Sequence, residues 1–133
     1  MAPGPRHVLT ILAVADLARA RAFYRAALGW AESVVTPVYV ELEVPGGMRF
    51  GLYQREGFGR NVGRLPARVP EGELAPTEIY LYAEDMEAAL LRVRAAGAEE
   101  LSPLAERPWG DEAAYFADPD GNVLVLARPA RPA

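Results

Sequence analysis

The chain has 133 residues, a formal net charge of −4 at pH 7 and a pI near 5.0, which suits one domain over residues 1–133 and argues against a nucleic-acid partner. It contains no cysteine, so disulfide bonds, thiolate nucleophiles and cysteine metal sites are excluded. No apolar run approaches the roughly 20 residues that cross a bilayer and no secretion signal opens the chain, so we expect a cytoplasmic protein without a membrane partner.

The first half of the chain predicts a strand, a helix and then two or three further strands. Asp16 has the chemistry of a helix N-cap, and the apolar spacing after it predicts a helix over 17–28 that ends at Gly29. A Pro-Gly-Gly turn separates the later strands. The predicted strands of this half cover residues 7–14, 37–44 and 49–53.

The second half repeats the first after a segment over 55–76 that is rich in glycine, proline and arginine. That segment is predicted to be a connector without regular structure. A strand over 77–83, an N-cap at Asp85 and a helix over 86–96 follow it. Asp85 lies about 69 residues after Asp16, which indicates an internal repeat. A closing hairpin turns at 118–122, and the two modules span about 7–54 and 77–127.

Alternation along the strands places apolar side chains on one face and tyrosine, glutamate and arginine side chains on the other. The apolar face is suited to pack against the helices. The polar face either contacts solvent or lines a wet cavity, and both interpretations fit the alternation. Its tyrosines favour a cavity, because rings with a polar tip suit ligand surfaces. The residues expected on this face are Tyr39, Glu41, Glu43, Arg49, Tyr53, Glu78, Tyr80 and Tyr82.

Three features make the chain similar to a known superfamily. They are the tandem repeat, the segment 22–30 with its Phe-Tyr and Leu-Gly pairs, and the closing segments Pro-Trp-Gly at 108–110 and Asp-Pro-Asp-Gly-Asn at 118–122. Together they resemble the vicinal oxygen chelate superfamily of glyoxalases, extradiol dioxygenases and bleomycin-resistance proteins. The resemblance implies an α+β fold of two tandem βαβββ modules that form a curved mixed sheet around a cavity, commonly within a homodimer.

Metal-dependent members of this superfamily carry ligands at cavity-facing strand positions in both modules. The resemblance maps these positions onto Leu9, Gly51, Glu78 and Val125. Only Glu78 has a metal-binding side chain, whereas catalytic zinc commonly has about three protein ligands. His7, two residues before Leu9, joins Glu78 only if the strand register differs. The resemblance therefore implies no metal and no cofactor.

The missing ligands make the chain most similar to the bleomycin-resistance-like members that bind without a metal. Those members hold a cationic glycopeptide in an acidic, aromatic groove shared by a dimer. We therefore expect metal-independent binding of a small molecule, such as a cationic or aromatic antibiotic, by a homodimer. The expected ligand-binding residues are Trp109, Trp30, Tyr39, Glu43, Arg49, Tyr53, Glu78 and Tyr80.

Two other functions stay open at this point. One is a glyoxalase- or dioxygenase-like enzyme that uses Glu78 in an atypical metal site or as an acid–base residue, because desolvation raises the pKa of a buried glutamate. The other is an interaction module without a ligand cavity. Trp30 and Trp109 each have packing as an alternative role. Asp118 and Asp120 are assigned to turn hydrogen bonds rather than to a metal.

Overall fold

One topology occurs twice in the computed structural model, which describes residues 2–131. The first copy contains β1 (Leu9–Val14), α1 (Leu17–Leu28), β2 (Glu32–Val35), β3 (Tyr39–Glu43) and β4 (Arg49–Gln54). After α2 (Arg55–Val62), the second copy contains β5 (Glu78–Tyr82), α3 (Met86–Ala95), β6 (Glu99–Glu106), β7 (Asp111–Ala117) and β8 (Val123–Pro129). The strand orders are β1-β4-β3-β2 and β5-β8-β7-β6, with the first pair parallel in each sheet. The two predicted βαβββ modules are confirmed.

These elements group into two compact units whose boundary does not follow the sequence repeat. The first unit comprises residues 2–21 and Trp30–Ala67, and the second comprises Ala22–Gly29 and residues 68–131. Helix α1 is therefore divided, because its later residues belong to the unit that the C-terminal half of the chain builds.

Helices α1 and α3 begin where the capping pattern predicts. The Asp16 carboxylate accepts a hydrogen bond from the Arg19 amide at 3.2 Å, and the Asp85 carboxylate accepts one from the Ala88 amide at 3.1 Å. Such caps satisfy amides that have no partner within the first turn of a helix. Gly29 follows α1 with a φ of 66°, the left-handed conformation that glycine adopts readily.

Helix α2 corrects the prediction of a connector over 55–76, because 8 residues of that segment are helical. Gly57 and Gly59 hide the helix in the sequence, since each lowers helix propensity by about 1 kcal/mol relative to alanine. Both glycines are buried, and a Cβ on Gly57 would lie 2.6 Å from the Cε1 atom of the Tyr53 ring. Close packing thus explains a helix that propensity alone does not support.

Strands β2 and β6 each lie at one edge of their sheet, with β1 and β5 at the opposite edges. Strands β2 and β6 bring the number of strands after each long helix to three, where the sequence allows two or three. The pairing of β6 with β7 has two register irregularities, and Pro103 lies within the second of them. Proline removes a backbone donor and is tolerated mainly on edge strands. The edge position explains why the alternation that identifies inner strands is absent from β6.

The apolar sheet faces are buried, as the alternation predicts. The side chains of this face that are at most 4% exposed are Val40, Leu42, Phe50, Leu52, Leu124 and Leu126. On the helices, Phe23, Tyr24, Leu90 and Val93 are buried, whereas Leu28 is only half-buried. Between residues 2 and 131, no helix combines the length and the apolar character needed to span a membrane.

The closing turn is built around the buried carboxylate of Asp118. It accepts hydrogen bonds from the Asp120 amide (2.9 Å), the Asn122 amide (2.8 Å) and the Asn122 side-chain amide (3.0 Å). A fourth bond comes from the hydroxyl of Tyr24, at 2.5 Å and 94 residues away. Burial raises the pKa of Tyr24, and the charge of Asp118 raises it further. The role predicted for Asp118 in the turn is confirmed, and its bond to α1 is additional.

Candidate functional site

The polar face of the first sheet carries a closed group of Tyr39, Glu41 and Arg49. Glu41 is only 7% exposed, and its carboxylate accepts hydrogen bonds from the Tyr39 hydroxyl at 2.6 Å and from the Arg49 guanidinium at 3.1 Å. A buried carboxylate needs such partners, because its desolvation is otherwise unfavourable. Burial and the bond to Glu41 raise the pKa of Tyr39. The three side chains therefore satisfy one another.

Gly51 pairs with Glu41 on β3 and with Ile11 on β1. A Cβ at this position would lie 2.6 Å from the Tyr39 hydroxyl oxygen and 3.0 Å from the Ile11 Cγ1 atom. Both distances are shorter than ordinary van der Waals contact. The position to which the resemblance assigns a metal ligand is thus filled by the Tyr39 side chain.

We expect Gly51→Ala to lower the free energy of unfolding by about 1–3 kcal/mol, because the added methyl group overpacks against Tyr39 and Ile11. In a Tyr39→Ala background the same substitution is expected to be less destabilising by about 1 kcal/mol or more. Urea denaturation of the four proteins of this double-mutant cycle measures the coupling. Equal effects of Gly51→Ala in both backgrounds would show that Tyr39 does not fill the position.

Of the three other predicted site residues of the first unit, Tyr53 contacts the edge of this closed group, whereas Glu43 and Trp30 lie apart from it. The rings of Tyr53 and Tyr39 meet edge to face at a centroid distance of 5.3 Å, and Glu43 is exposed at the end of β3. The rings of Trp30 and Phe50 meet edge to face with their centroids 5.9 Å apart. Since Phe50 belongs to the apolar face, this contact places Trp30 against the core side of the sheet.

The second unit carries an open aromatic group on its polar face. The Asp111 carboxylate accepts a hydrogen bond from the Tyr80 hydroxyl at 2.6 Å and a bifurcated one from the Tyr82 hydroxyl, whose oxygen lies 3.0 and 3.1 Å from the two carboxylate oxygens. The Trp109 indole nitrogen donates to the Tyr80 oxygen at 2.8 Å. Burial raises the pKa of Tyr80, and the bond to Asp111 raises that of Tyr82. We call Tyr80, Tyr82, Trp109 and Asp111 the aromatic cluster.

The centre of this sheet face is apolar rather than polar. Ala113, Val125 and Ala127 are fully buried there, and the half-buried Tyr115 and Val123 pack against them. Val125 is another position that the resemblance maps to a metal ligand, and its isopropyl group offers no donor. The polar character predicted for the face is therefore confined to its margin in the second unit.

Arg107 lies beside this apolar centre and is held by the backbone. Its guanidinium stands 4.9 Å from the centroid of the Tyr115 ring and donates to the carbonyl oxygens of Pro103 (2.8 Å) and Ala113 (2.9 Å) and to the hydroxyl of Ser102 (3.0 Å). These bonds fix the loop before β7, from which Trp109 and Asp111 project.

The residues present do not fit a divalent metal ion. Glu78, the one metal-binding side chain at the mapped positions, is exposed at the start of β5. His7 bonds the Thr10 hydroxyl at 2.9 Å. Across residues 2–131, no group of three or more histidine, aspartate and glutamate side chains is arranged to hold a metal.

Sequence reasoning found Tyr80 and Trp109 but not Asp111, the residue that joins them. Asp111 directly follows the Pro-Trp-Gly segment and precedes Ala113 and Tyr115 by two and four positions. Alternation along β7 therefore places its side chain on the polar face. That signal becomes usable only once β7 is known to begin at Asp111.

The family model described as Glyoxalase/Bleomycin resistance protein/Dioxygenase superfamily matches residues 4–126. No curated protein gives a significant match.

A solved glyoxalase/bleomycin resistance protein/dioxygenase from Nocardioides is 25% identical with a TM-score of 0.81, covering 100% of this chain and 89% of that one. A glyoxalase-related enzyme from Fulvimarina pelagi is 22% identical with a TM-score of 0.80, covering 92% and 86%. A lactoylglutathione lyase from Agrobacterium tumefaciens is 23% identical with a TM-score of 0.69, covering 94% of each chain. With its two βαβββ modules and the match over residues 4–126, the chain belongs to the Glyoxalase/Bleomycin resistance protein/Dioxygenase superfamily.

Proposed function

We propose that the protein binds a small molecule carrying a cationic or aromatic group, without a metal ion. The observation that carries this proposal is the Tyr39 hydroxyl, which lies 2.6 Å from where a Cβ on Gly51 would stand. The place of a ligating carboxylate is taken by a phenol. The apolar side chain of Val125 is equally unsuited to a metal. Within residues 2–131, Glu78 does not belong to a group of three or more side chains that could hold a metal.

The aromatic cluster supports binding as the function. Trp109 is 57% exposed, Tyr82 64% and Tyr80 37%. Large aromatic side chains that stay accessible and hold polar tips in fixed hydrogen bonds are suited to stack against a ligand. Sequestration of an antibiotic by a cytoplasmic homodimer is the form of this function that we propose.

Catalysis is the competing proposal, and a lactoylglutathione lyase of similar fold gives it a precedent. Its candidate residue, Glu78, is exposed at the start of β5 and lacks the enclosed surroundings that suit a carboxylate general base. We therefore rank binding above a lyase, isomerase or dioxygenase reaction.

Isothermal titration of the purified protein against a panel of cationic and aromatic antibiotics tests the proposal. We expect at least one ligand to bind, and Trp109→Ala to weaken that binding about 5-fold through loss of ring stacking. Elemental analysis of the same protein is expected to show no stoichiometric Zn, Ni, Fe or Mn. A panel without any binding, or a stoichiometric metal that Glu78→Ala removes, would contradict the proposal.

A further inference from the structure

The polar faces of the two sheets each contain one buried carboxylate, and the two differ in how their charge is balanced. Glu41 and Asp111 are both 7% exposed. Glu41 forms an ion pair with Arg49 at 3.1 Å. Asp111 accepts hydrogen bonds from Tyr80 and Tyr82, and within the described residues it forms no ion pair. The second unit thus has a buried anion whose partners are all neutral.

Neutral donors compensate the desolvation of a carboxylate less well than a cation does. A phenol strengthens its hydrogen bond to a carboxylate but leaves the net charge in place, whereas a cation also cancels that charge, and a buried charge is stable chiefly when paired. The arginine that stands beside this face does not supply the pairing, because Arg107 donates to Ser102, Pro103 and Ala113 instead. Asp111 therefore retains an attraction for a cation from outside the unit.

The rings around Asp111 favour the same ligand. Tyr80 and Tyr82 have centroids 6.2 Å apart and planes inclined by 59°, and the Trp109 indole is bonded to the Tyr80 hydroxyl. Aromatic faces attract ammonium and guanidinium groups, and the attraction is strongest for tryptophan. All three rings are partly exposed. A cation therefore gains from the rings and from the carboxylate at the same place.

We infer that the aromatic cluster binds one organic cation per chain, an ammonium or an amidinium-type group, with Asp111 as its counter-charge. This inference rests on the proposed small-molecule binding and assigns its ligand class and position. The first unit does not offer a second such position, because Arg49 already pairs with Glu41. The stoichiometry of one follows from this difference between the repeats.

Benzamidine and benzamide form a matched pair of probes, since they have nearly the same shape and only the first is charged at pH 7. In a Trp30→Phe background Trp109 is the only tryptophan, so its emission reports on the cluster. We expect benzamidine to change this emission with a dissociation constant at least about 10-fold below that of benzamide, and with one site per chain.

Asp111→Asn is expected to reduce the preference for the charged probe at least about 3-fold, and the aromatic contacts that it keeps account for the preference that remains. Glu112→Gln is the matched control, because it removes one charge from the neighbouring position on the opposite face of β7, where Glu112 pairs with Arg128. It is expected to leave the preference unchanged. Tyr82→Phe removes one neutral donor, the Tyr82 hydroxyl, from Asp111. It is expected to preserve or increase the preference for the charged probe. This variant provides the test if Asp111→Asn does not fold.

Equal binding of the two probes, or a preference that is undiminished in Asp111→Asn, would overturn the inference. So would a loss of preference in Tyr82→Phe. If antibiotics of the panel bind while the probes show no charge preference, only this inference fails. If the panel shows no binding, the proposed function itself fails.

Discussion

Asp118→Ala is expected to lower the free energy of unfolding by about 3–5 kcal/mol, the largest effect among the substitutions considered. The change removes the acceptor of four hydrogen bonds from Tyr24, Asp120 and Asn122. A buried donor left without a partner is unfavourable by about 1–3 kcal/mol, so several such donors explain the size of the effect. Urea denaturation monitored by circular dichroism measures it.

Tyr24→Phe is the matched control for this prediction. It removes one donor, the Tyr24 hydroxyl, and leaves the other three hydrogen bonds to Asp118 in place. We therefore expect a loss of about 1–2 kcal/mol. If Asp118→Ala proved no more destabilising than Tyr24→Phe, the carboxylate would not organise the closing turn.

Gly121→Ala is expected to be the second most damaging substitution, with a loss of about 2–4 kcal/mol. Gly121 has a φ of 83°, and a Cβ there would lie 2.6 Å from the carbonyl oxygen of Glu73. The Gly121 carbonyl also accepts a hydrogen bond from the Ala75 amide at 2.8 Å. Because the clash is with backbone, the segment before β5 must move away from the turn.

Gly72→Ala separates the clash from the backbone conformation. Gly72 has a φ of 84°, almost the same as Gly121, but an added Cβ would meet no atom within 4 Å. We expect this control to lose only about 1 kcal/mol from the left-handed conformation. Thermal unfolding of both variants gives the comparison, and equal losses would rule out the contact with Glu73 as the cause.

The parts of the fold that the sequence predicts are those with local causes. Asp16 and Asp85 cap their helices through amides three residues ahead, and Gly29 ends α1 through its own φ. The turn at 118–122 is likewise formed by neighbouring residues. Interactions within a few residues leave a pattern in composition, so these elements and their repeat are visible without coordinates.

Non-local packing hides the rest of the fold. Helix α2 contains two glycines that disfavour a helix, and besides the ring contact of Phe58 with Tyr53 at 6.2 Å it contacts β1, far earlier in the chain. Gln54 accepts a hydrogen bond from the Leu17 amide at 2.9 Å, although it lies 37 residues away. No pattern in a single sequence specifies such partners.

The candidate site was predictable as a list of residues but not as a set of contacts. The sequence predicts that Tyr39 and Arg49 both face a ligand. In the structure both side chains donate hydrogen bonds to the Glu41 carboxylate instead. Tyr80 and Trp109 were also expected, but Asp111 was missed because the start of β7 was not placed there. Alternation gives the face of a residue, whereas the distances that decide its chemistry depend on register and rotamer.

The division of α1 determines when the protein can finish folding during its synthesis. Residues 22–29 are synthesised well before their unit is complete, because Tyr24 finds its hydrogen-bond partner Asp118 only after 94 further residues have been translated. Such distant contacts slow folding, because a long loop must close before they form. A fragment that starts at residue 68 lacks residues 22–29, which belong to the second unit. Cutting the chain between the two repeats therefore does not yield a complete second unit.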